Sequence, residues 1–314
     1  MPKSTTHKLC QTLDLSLANN NILEESAFPL KVPTDFLQQI QQGDENDPLL
    51  KQVLPVKEEL IVSEGFKQDP VGDLLKNPTP SLIHKYHGRV LLIASPKCDI
   101  HCRYCFRRHF PYQEHSNQRH WQTSIQTITK DESIHEVILS GGDPMSLQEN
   151  RLISLIEDIE KIPHIKTLRI HSRTPIVAPS KAPQNLLLNW AQKTRLNKVL
   201  VVHCNHKNEL SSKTAELLSL YKNSGFHLLN QSVLLKEIND DAKTLTALSH
   251  ALFEQGVMPY YLHQLDKVEG ASHFEVSDKK ALEIMTEIRQ KLPGYLVPKL
   301  VREIAGEANK TALF

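Results

Sequence analysis

The sequence Cys98-Asp-Ile-His-Cys102-Arg-Tyr-Cys105 holds three of the chain's five cysteines and follows an apolar run, Val90-Leu-Leu-Ile-Ala94. Thiolates are soft ligands that suit zinc and iron–sulfur clusters. A four-iron cluster normally takes four cysteines, whereas this stretch supplies three, so one corner of such a cluster is left for another ligand. The alternative is a zinc site completed by a histidine such as His101 or His109.

The composition is that of a globular protein with a substantial core: 314 residues, 39% of them hydrophobic and 23% charged. A formal net charge of +1 gives no reason to expect nucleic acid or a membrane surface as a partner. The first residues lack the apolar core of a signal peptide, and no apolar run approaches the ~20 residues that a membrane helix needs. We therefore expect a cytoplasmic protein, in which clustered thiols more often bind metal than form disulfides.

Short apolar runs alternate with stretches of helical spacing from residue 89 onward. The apolar runs predict strands at residues 90–94, 136–140, 167–171, 198–203, 227–232 and 257–263. The intervening stretches predict helices at residues 146–161, 182–193, 211–223, 241–254 and 277–292. This alternation predicts an α/β fold with a parallel sheet covered by helices, arranged as a partial (β/α)6 TIM-like barrel. A doubly wound sheet is the alternative.

The predicted domain organisation has three parts. Residues 1–85 are rich in Pro, Gln and Asn, and helix signals occur from Thr34 or Asp35 to Ile40 and from Asp47 to near Leu54. We expect this part to be a helical extension packed on the barrel, which would span residues 86–292. Residues 293–314 form a C-terminal segment.

Polar residues follow the predicted strands at the end where a barrel carries its chemistry. They lie after six successive strands, at Cys98, Gly141-Gly142-Asp143, Ser172-Arg173, His203, Gln231 and Asp266. Because the carboxyl ends of parallel strands meet at one mouth, we expect these side chains to face a common site.

The spacing Cys98-x3-Cys102-x2-Cys105, placed after the first strand, resembles that of the radical S-adenosylmethionine superfamily. The resemblance implies that the three cysteines hold a [4Fe–4S] cluster whose fourth iron binds S-adenosyl-L-methionine. The Ser140-Gly-Gly-Asp-Pro144 turn is similar to the superfamily's glycine-rich loop, which contacts that cofactor. This similarity assigns Gly141, Gly142 and Asp143 to cofactor binding, and His203 and Gln231 match strand-end positions near the same ligand.

Further motifs are similar to those of the lysine 2,3-aminomutase family, from about residue 80 to the C-terminus. They are Leu82-Ile-His-Lys-Tyr-His-Gly-Arg89, Cys105-Phe-Arg-Arg108, Leu168-Arg-Ile-His-Ser-Arg173, Asn230-Gln-Ser-Val-Leu-Leu235 and Val257-Met-Pro-Tyr-Tyr261. The cysteine loop and the ending Gly306-Glu-Ala-Asn-Lys310 resemble the branch of the family that prepares β-lysine for elongation factor P.

The family resemblance implies roles for single residues. Lys310 corresponds to the lysine that covalently holds pyridoxal 5'-phosphate, and Lys85, Tyr86 and Arg89 match positions that hold its phosphate, for which cations and a hydroxyl are suited. Arg107 matches the arginine that binds the substrate α-carboxylate, where a planar fork is better suited than a lysine. Asp266 and Glu303 match the two acidic positions for the substrate ε-ammonium, although fermentative relatives have aspartate in place of Glu303. The zinc-binding cysteines of some relatives are missing, so we expect no zinc.

The resemblance therefore implies an enzyme, a lysine 2,3-aminomutase that isomerises free L-lysine to β-lysine by a 1,2-amino shift. Its expected partners are an external electron donor and, functionally, a ligase acting on elongation factor P, and a homo-oligomer is possible. The alternatives are a radical aminomutase for another amino acid, such as glutamate, and a non-catalytic iron–sulfur or zinc protein that senses redox state.

Overall fold

A computed structural model describes residues 4–16, 21–115 and 118–313, so both chain ends of the predicted domain organisation lie outside the described residues. Within these residues, nine strands form one sheet in which spatial order follows chain order. They are β1 (Leu82–Tyr86), β2 (Arg89–Ser95), β3 (Glu136–Gly141), β4 (Thr167–Ser172), β5 (Asn197–His203), β6 (His227–Val233), β7 (Met258–His263), β8 (Lys299–Arg302) and β9 (Thr311–Ala312).

The described residues also form ten α-helices. They are α1 (Thr5–Thr12), α2 (Thr34–Leu37), α3 (Tyr112–His115), α4 (Gln118–Lys130), α5 (Glu149–Glu160), α6 (Thr174–Val177), α7 (Asn185–Ala191), α8 (Ser212–Asn223), α9 (Ala242–Glu254) and α10 (Asp278–Lys291). Among these residues, no helix is long and apolar enough to cross a membrane.

The sheet is a partial barrel, as predicted. Strands β2 to β8 run parallel, while β1 and β9 pair antiparallel at the two edges, so the sheet stays open. The six predicted strands match β2 to β7, and the five predicted helices match α5 and α7 to α10. The alternation missed β1, β8 and β9, which are short, and α4, whose sequence is mostly polar.

Local sequence explains where the outer helices begin. Ser211, Asp241 and Ser277 precede α8, α9 and α10, and the side chain of each accepts a hydrogen bond from a backbone N–H in the first helical turn. Such N-caps satisfy donors that have no partner within the helix. The apolar faces of α5, α7 and α8 then pack on the outer face of the strands in one continuous core.

The N-terminal part contributes to the same core. Phe36, Leu49 and Leu50 are fully buried together with residues of the barrel strands. The helix predicted from Thr34 to Ile40 ends at Leu37, and the one predicted near Asp47 is a single 3-10 turn, Leu50–Gln52. Asp47 accepts from the backbone N–H groups of Leu49 and Leu50, which favours a tight turn over a longer helix. The proposed boundary between residues 85 and 86 falls inside β1.

Candidate active site

The three motif cysteines lie on the loop between β2 and α3, each with its side chain partly exposed. Burial raises the pKa of Cys98 well above its ordinary value, and nearby Asp143 and the other two thiols add to the effect. Burial and Cys102 likewise raise the pKa of Cys105 to about 11. Within the described residues, no three His, Cys, Asp or Glu side chains converge to hold a single metal ion. Cys102 nevertheless lies close enough to raise the pKa of both Cys98 and Cys105, and a bound cationic cluster would relieve that repulsion.

Arg173 supplies a charge partner for the middle cysteine. Its guanidinium donates to the Cys102 sulfur over 2.7 Å and to Glu209 Oε2 over 2.8 Å. Burial acts to lower the pKa of Arg173, but Cys102 and other anionic partners outweigh it and the pKa is raised. This contact places a permanent cation beside one of the three predicted cluster ligands.

The glycine-rich turn packs directly against the cysteine loop. Gly141 has φ of +120°, and a Cβ there would lie 2.7 Å from the Ser95 carbonyl oxygen. A Cβ on Gly142 would lie 2.5 Å from the Lys97 carbonyl oxygen. Gly142 N–H also donates to Ser95 O over 2.7 Å, and Asp143 N–H donates to Lys97 O over 2.7 Å. Glycine is therefore needed at both positions for the two loops to lie in contact.

Asp143 is fully engaged within the protein. One carboxylate oxygen accepts from Met145 N–H and the Ser172 hydroxyl, and the other accepts from the N–H groups of Arg173 and Thr174. Burial raises its pKa against the effect of these hydrogen bonds. In this structure it holds the turns after β3 and β4 together, and its predicted contact with a cofactor stays a prediction.

His203 and Gln231 are neighbours in register at the carboxyl ends of β5 and β6. The His203 Nε2 lies 2.9 Å from the hydroxyl of Tyr104, and the two rings stack at 5.7 Å. Burial, followed by the charge of Arg173, lowers the pKa of His203 well below its ordinary value, so the ring is neutral. Tyr104 belongs to the cysteine loop, and this contact links that loop to the opposite side of the mouth.

The three residues predicted to hold a phosphate lie on the β1–β2 hairpin. The Arg89 guanidinium lies over the Tyr86 ring, 4.9 Å from its centre. Burial and the nearby Glu303 carboxylate raise the pKa of Tyr86, which keeps the hydroxyl protonated. Lys85 Nζ lies 2.5 Å from Asp73 Oδ1 and 2.8 Å from Glu303 Oε1, so an incoming phosphate would compete with two carboxylates.

Asp73 was not identified from the sequence, yet it joins two predicted ligand groups. Its second oxygen accepts from Arg107 Nε over 2.7 Å, and Arg107 also donates to the Ser140 hydroxyl over 3.3 Å. Burial acts to raise the pKa of Asp73, but Arg107 and Lys85 outweigh it and lower the pKa. Asp73 is a lone acid in an irregular stretch, and no motif around it signals this role.

Glu303 completes the connection to the C-terminal segment. Its Oε2 lies 2.7 Å from Lys310 Nζ, while its Oε1 pairs with Lys85 from the opposite edge of the open sheet. Lys310 is partly buried and lies over the Tyr261 ring at 5.9 Å. A continuous chain of ion pairs therefore runs from Arg107 through Asp73, Lys85 and Glu303 to Lys310.

The two predicted ammonium ligands have opposite pKa shifts. Burial acts to raise the pKa of Glu303, but Lys310 and Lys85 outweigh it and lower the pKa to about 2. Burial raises the pKa of Asp266 to about 7, and the nearby charges of Glu303 and Asp73 oppose the pull of Lys310 and Lys85. Glu303 is thus satisfied by the protein's own cations, whereas Asp266 remains suited to an additional cation.

Comparison with known proteins identifies first the class and then the family. Residues 87–219, which include the cysteine loop and β3 to β5, match a family model described as a 4Fe-4S single cluster domain. This part of the barrel is therefore similar to iron–sulfur domains of the single-cluster class. A solved structure of anSMEcpe with bound AdoMet aligns with 63% of this chain and 57% of that chain, at 13% identity and a TM-score of 0.47.

Curated relatives narrow the class to a family. An L-lysine 2,3-aminomutase of Escherichia coli (strain K12) is 48% identical over 91% of this chain and 83% of the relative. One from Haemophilus influenzae is 46% identical over 93% and 86%, and one from Clostridium subterminale is 34% identical over 88% and 66%. The chain therefore belongs to the L-lysine 2,3-aminomutase family. This membership supports the predicted cofactor set of [4Fe–4S] cluster, S-adenosyl-L-methionine and pyridoxal 5'-phosphate.

Proposed function

We propose that the protein is a lysine 2,3-aminomutase that converts free L-lysine to β-lysine, using a [4Fe–4S] cluster, S-adenosyl-L-methionine and pyridoxal 5'-phosphate. When bound, the first two supply a radical that starts the reaction, and the third carries the migrating amino group. The observation that carries the proposal is the ion-pair chain from Arg107 to Lys310, with Asp266 beside it.

The charges of this chain fit a substrate with an anionic and a cationic end. The Arg107 side chain is held through Nε by Asp73, and a planar fork held in this way can present its remaining nitrogens to an α-carboxylate. Asp266, with its pKa of about 7, gains a partner when an ε-ammonium binds, which shifts it toward the ionised form. An acidic substrate such as glutamate would bring a second carboxylate toward Asp266 and Glu303, which like-charge repulsion disfavours.

Lys310 is the group that we propose to hold pyridoxal phosphate. Glu303 Oε2 lies 2.7 Å from Lys310 Nζ and orients the amine of this partly buried side chain. A lysine held in a partly buried site by a single carboxylate is positioned to exchange between cofactor and substrate. Cys98, Cys102 and Cys105 would hold the cluster across the mouth, with the Arg173 guanidinium 2.7 Å from the Cys102 sulfur.

The test is anaerobic reconstitution with iron, sulfide, S-adenosyl-L-methionine, pyridoxal phosphate and a chemical reductant, followed by chromatography of the amino acids. We expect L-lysine to be consumed and β-lysine to form. A protein with a complete cluster that leaves lysine unchanged but isomerises glutamate would overturn the substrate assignment. A zinc-loaded protein that does not bind S-adenosyl-L-methionine would favour the non-catalytic alternative.

We further propose that the β-lysine is used by a separate ligase to modify elongation factor P. The resemblance of the cysteine loop and of the Lys310 segment to that branch of the family supports this proposal. Co-expression with the ligase and elongation factor P, followed by intact-mass measurement of the factor, tests the link. The cells are grown in a medium without β-lysine, and supplied β-lysine serves as the control that the ligase is active. A factor that stays unmodified until β-lysine is supplied would refute the link.

A further inference from the structure

The cysteine loop is covered by residues from the N-terminal part of the chain to which the sequence analysis assigned no function. Residues 26–31 run along this loop, and both Glu59 and residues of this stretch contact Arg103 of the loop. We call residues 26–31 together with Glu59 the N-terminal clamp. The clamp is separated in sequence from the cysteines by at least about 40 residues, so its position depends on the folded chain.

Arg103, between the second and third cysteines, is the centre of the contact. Its side chain is completely buried, and its Nε donates to Glu59 Oε1 over 2.7 Å. Its two terminal nitrogens donate to the Phe28 carbonyl oxygen and to the Ser26 hydroxyl, each over 2.8 Å, and one of them also pairs with Glu59 Oε2. The backbone N–H of Arg103 donates to Gln52 O over 2.9 Å.

Arg108, three residues after the last cysteine, uses the same carboxylate. Its Nη2 donates to Glu59 Oε2 over 2.7 Å, and its Nη1 donates to the Arg103 carbonyl oxygen over 3.1 Å. The guanidinium groups of Arg103 and Arg108 both lie over the Phe28 ring, at 4.9 and 4.8 Å from its centre. One carboxylate and one aromatic ring therefore hold both arginines that flank Cys105.

The first half of the loop is held by hydrogen bonds that all end on backbone carbonyl oxygens. His101 N–H donates to Lys31 O over 3.0 Å, and His101 Nδ1 donates to Pro29 O over 2.7 Å. The Lys31 ammonium donates to the carbonyl oxygen of Cys98. The clamp thus contacts the loop at Cys98, at His101 and on both sides of Cys105.

We propose that the N-terminal clamp positions the cysteine loop for cluster binding, with Glu59 as its main positioning residue. A loop that offers only three cysteines and leaves one iron accessible needs its ligands held by the surrounding protein. Glu59 is the one carboxylate that the two arginines share, so its loss leaves two desolvated cations beside the cysteines, which is strongly unfavourable. The inference rests on the proposed iron–sulfur cluster, but it is independent of the substrate.

The experiment compares the wild-type protein with Glu59→Gln, an isosteric change that removes the charge. After anaerobic reconstitution without lysine, iron per chain, the electron paramagnetic resonance spectrum of the reduced cluster, and the rate of iron release to a ferrous chelator are measured. We expect lower iron content, an altered spectrum and iron release about tenfold faster or more. Glu160→Gln is the matched control, because Glu160 lies in a remote network with Trp190, Thr194 and Arg195.

A second variant keeps the test decisive if Glu59→Gln does not fold. Phe28→Leu retains all charges but removes the ring beneath both guanidinium groups, and we expect a smaller increase of iron release, by a few fold. Far-UV circular dichroism of the cluster-free proteins checks that each variant is folded. Folded variants with wild-type spectra and wild-type iron release would overturn the proposal. A stable wild-type cluster that yields no β-lysine would instead refute the proposed function and leave the clamp intact.

Discussion

The cysteine loop and the ion-pair chain face the same barrel mouth but are assembled in opposite ways. The three cysteines lie within eight residues of sequence, and the loop that carries them is held from outside through two arginines that share the Glu59 carboxylate. The chain from Arg107 to Lys310 joins five residues that are spread between positions 73 and 310, and Lys85 and Glu303 connect the two sides of the open sheet. Under the proposed function, the loop would hold the group that starts the reaction, whereas the ion-pair chain would decide which molecule it acts on.

Replacement of Lys310 is expected to have the largest effect. Lys310→Ala removes the amine proposed to hold pyridoxal phosphate, so formation of β-lysine should fall on the order of 10⁴-fold. Absorbance spectra should show loss of the bound cofactor, while iron content stays at the wild-type value. Lys299→Ala is the control, because Lys299 is an exposed lysine on β8. Borohydride labelling of another lysine in the wild-type protein would contradict the assignment.

Asp266 is expected to act on substrate binding. Asp266→Asn removes the charge proposed to pair with the ε-ammonium, so KM for lysine should rise roughly 100-fold with a smaller change in kcat. Because the pKa of Asp266 is about 7, KM of the wild-type protein should fall as pH rises from about 6 to about 8. The Asn variant should lack this dependence. The control is Glu275→Gln, which changes an exposed carboxylate after β7. An equal rise of KM in both variants would argue against the assignment.

Glu303 is expected to act mainly on stability. Its pKa is about 2 in the folded protein against an ordinary value of 4.5, so its charge stabilises the fold above pH 4.5 and this contribution is lost as pH falls toward 2. The difference corresponds to about 3 kcal/mol, which we reduce to about 2 kcal/mol for solvent screening. Denaturant unfolding of Glu303→Gln at neutral pH should show this loss.

Asp266 is expected to have the opposite effect on the free energy of unfolding. Its pKa is raised from 3.8 to about 7, so the unfolded chain loses its proton first and the carboxyl destabilises the fold as pH rises through this interval. Asp266→Asn should therefore raise the free energy of unfolding above neutral pH, opposite in sign to Glu303→Gln. Equal losses of stability in the two variants would contradict the opposite pKa shifts.

A change at the contact between the glycine-rich turn and the cysteine loop is expected to have the smallest effect. Gly142→Ala places a Cβ 2.5 Å from the Lys97 carbonyl oxygen, so the cysteine loop has to shift. We expect a loss of about 1 kcal/mol in unfolding free energy and a lower iron content after reconstitution. Gly294→Ala is the matched control, because no atom lies within 4 Å of a Cβ there. If both variants bind iron like the wild-type protein, the two loops are not coupled in this way.

The difference between the two regions also explains which features of the fold and the site could be predicted from the sequence. The strands β2 to β7 and the cysteine loop were predicted because their signals are local: apolar runs of strand length and thiols at short spacing. Helix α4 was missed although Trp121, Ile125 and Ile128 have helical spacing, because the residues between them are polar. Asp73 and Glu59 were missed because their roles depend on ion pairs with residues 12 to 49 positions away. Lys310 was selected from the family resemblance, since its sequence surroundings alone suggest an exposed side chain.

The central claim is that both regions act on one lysine molecule, the cysteine loop starting the reaction and the ion-pair chain holding the substrate. The direct test uses L-lysine deuterated at the β-carbon and mass spectrometry of the S-adenosyl-L-methionine recovered after turnover, because a hydrogen that is removed and then returned mixes with those of the deoxyadenosyl group. We expect deuterium in the recovered S-adenosyl-L-methionine with the wild-type protein and none with Lys310→Ala. Deuterium-free S-adenosyl-L-methionine from a wild-type protein that has a complete cluster and forms β-lysine would contradict the claim.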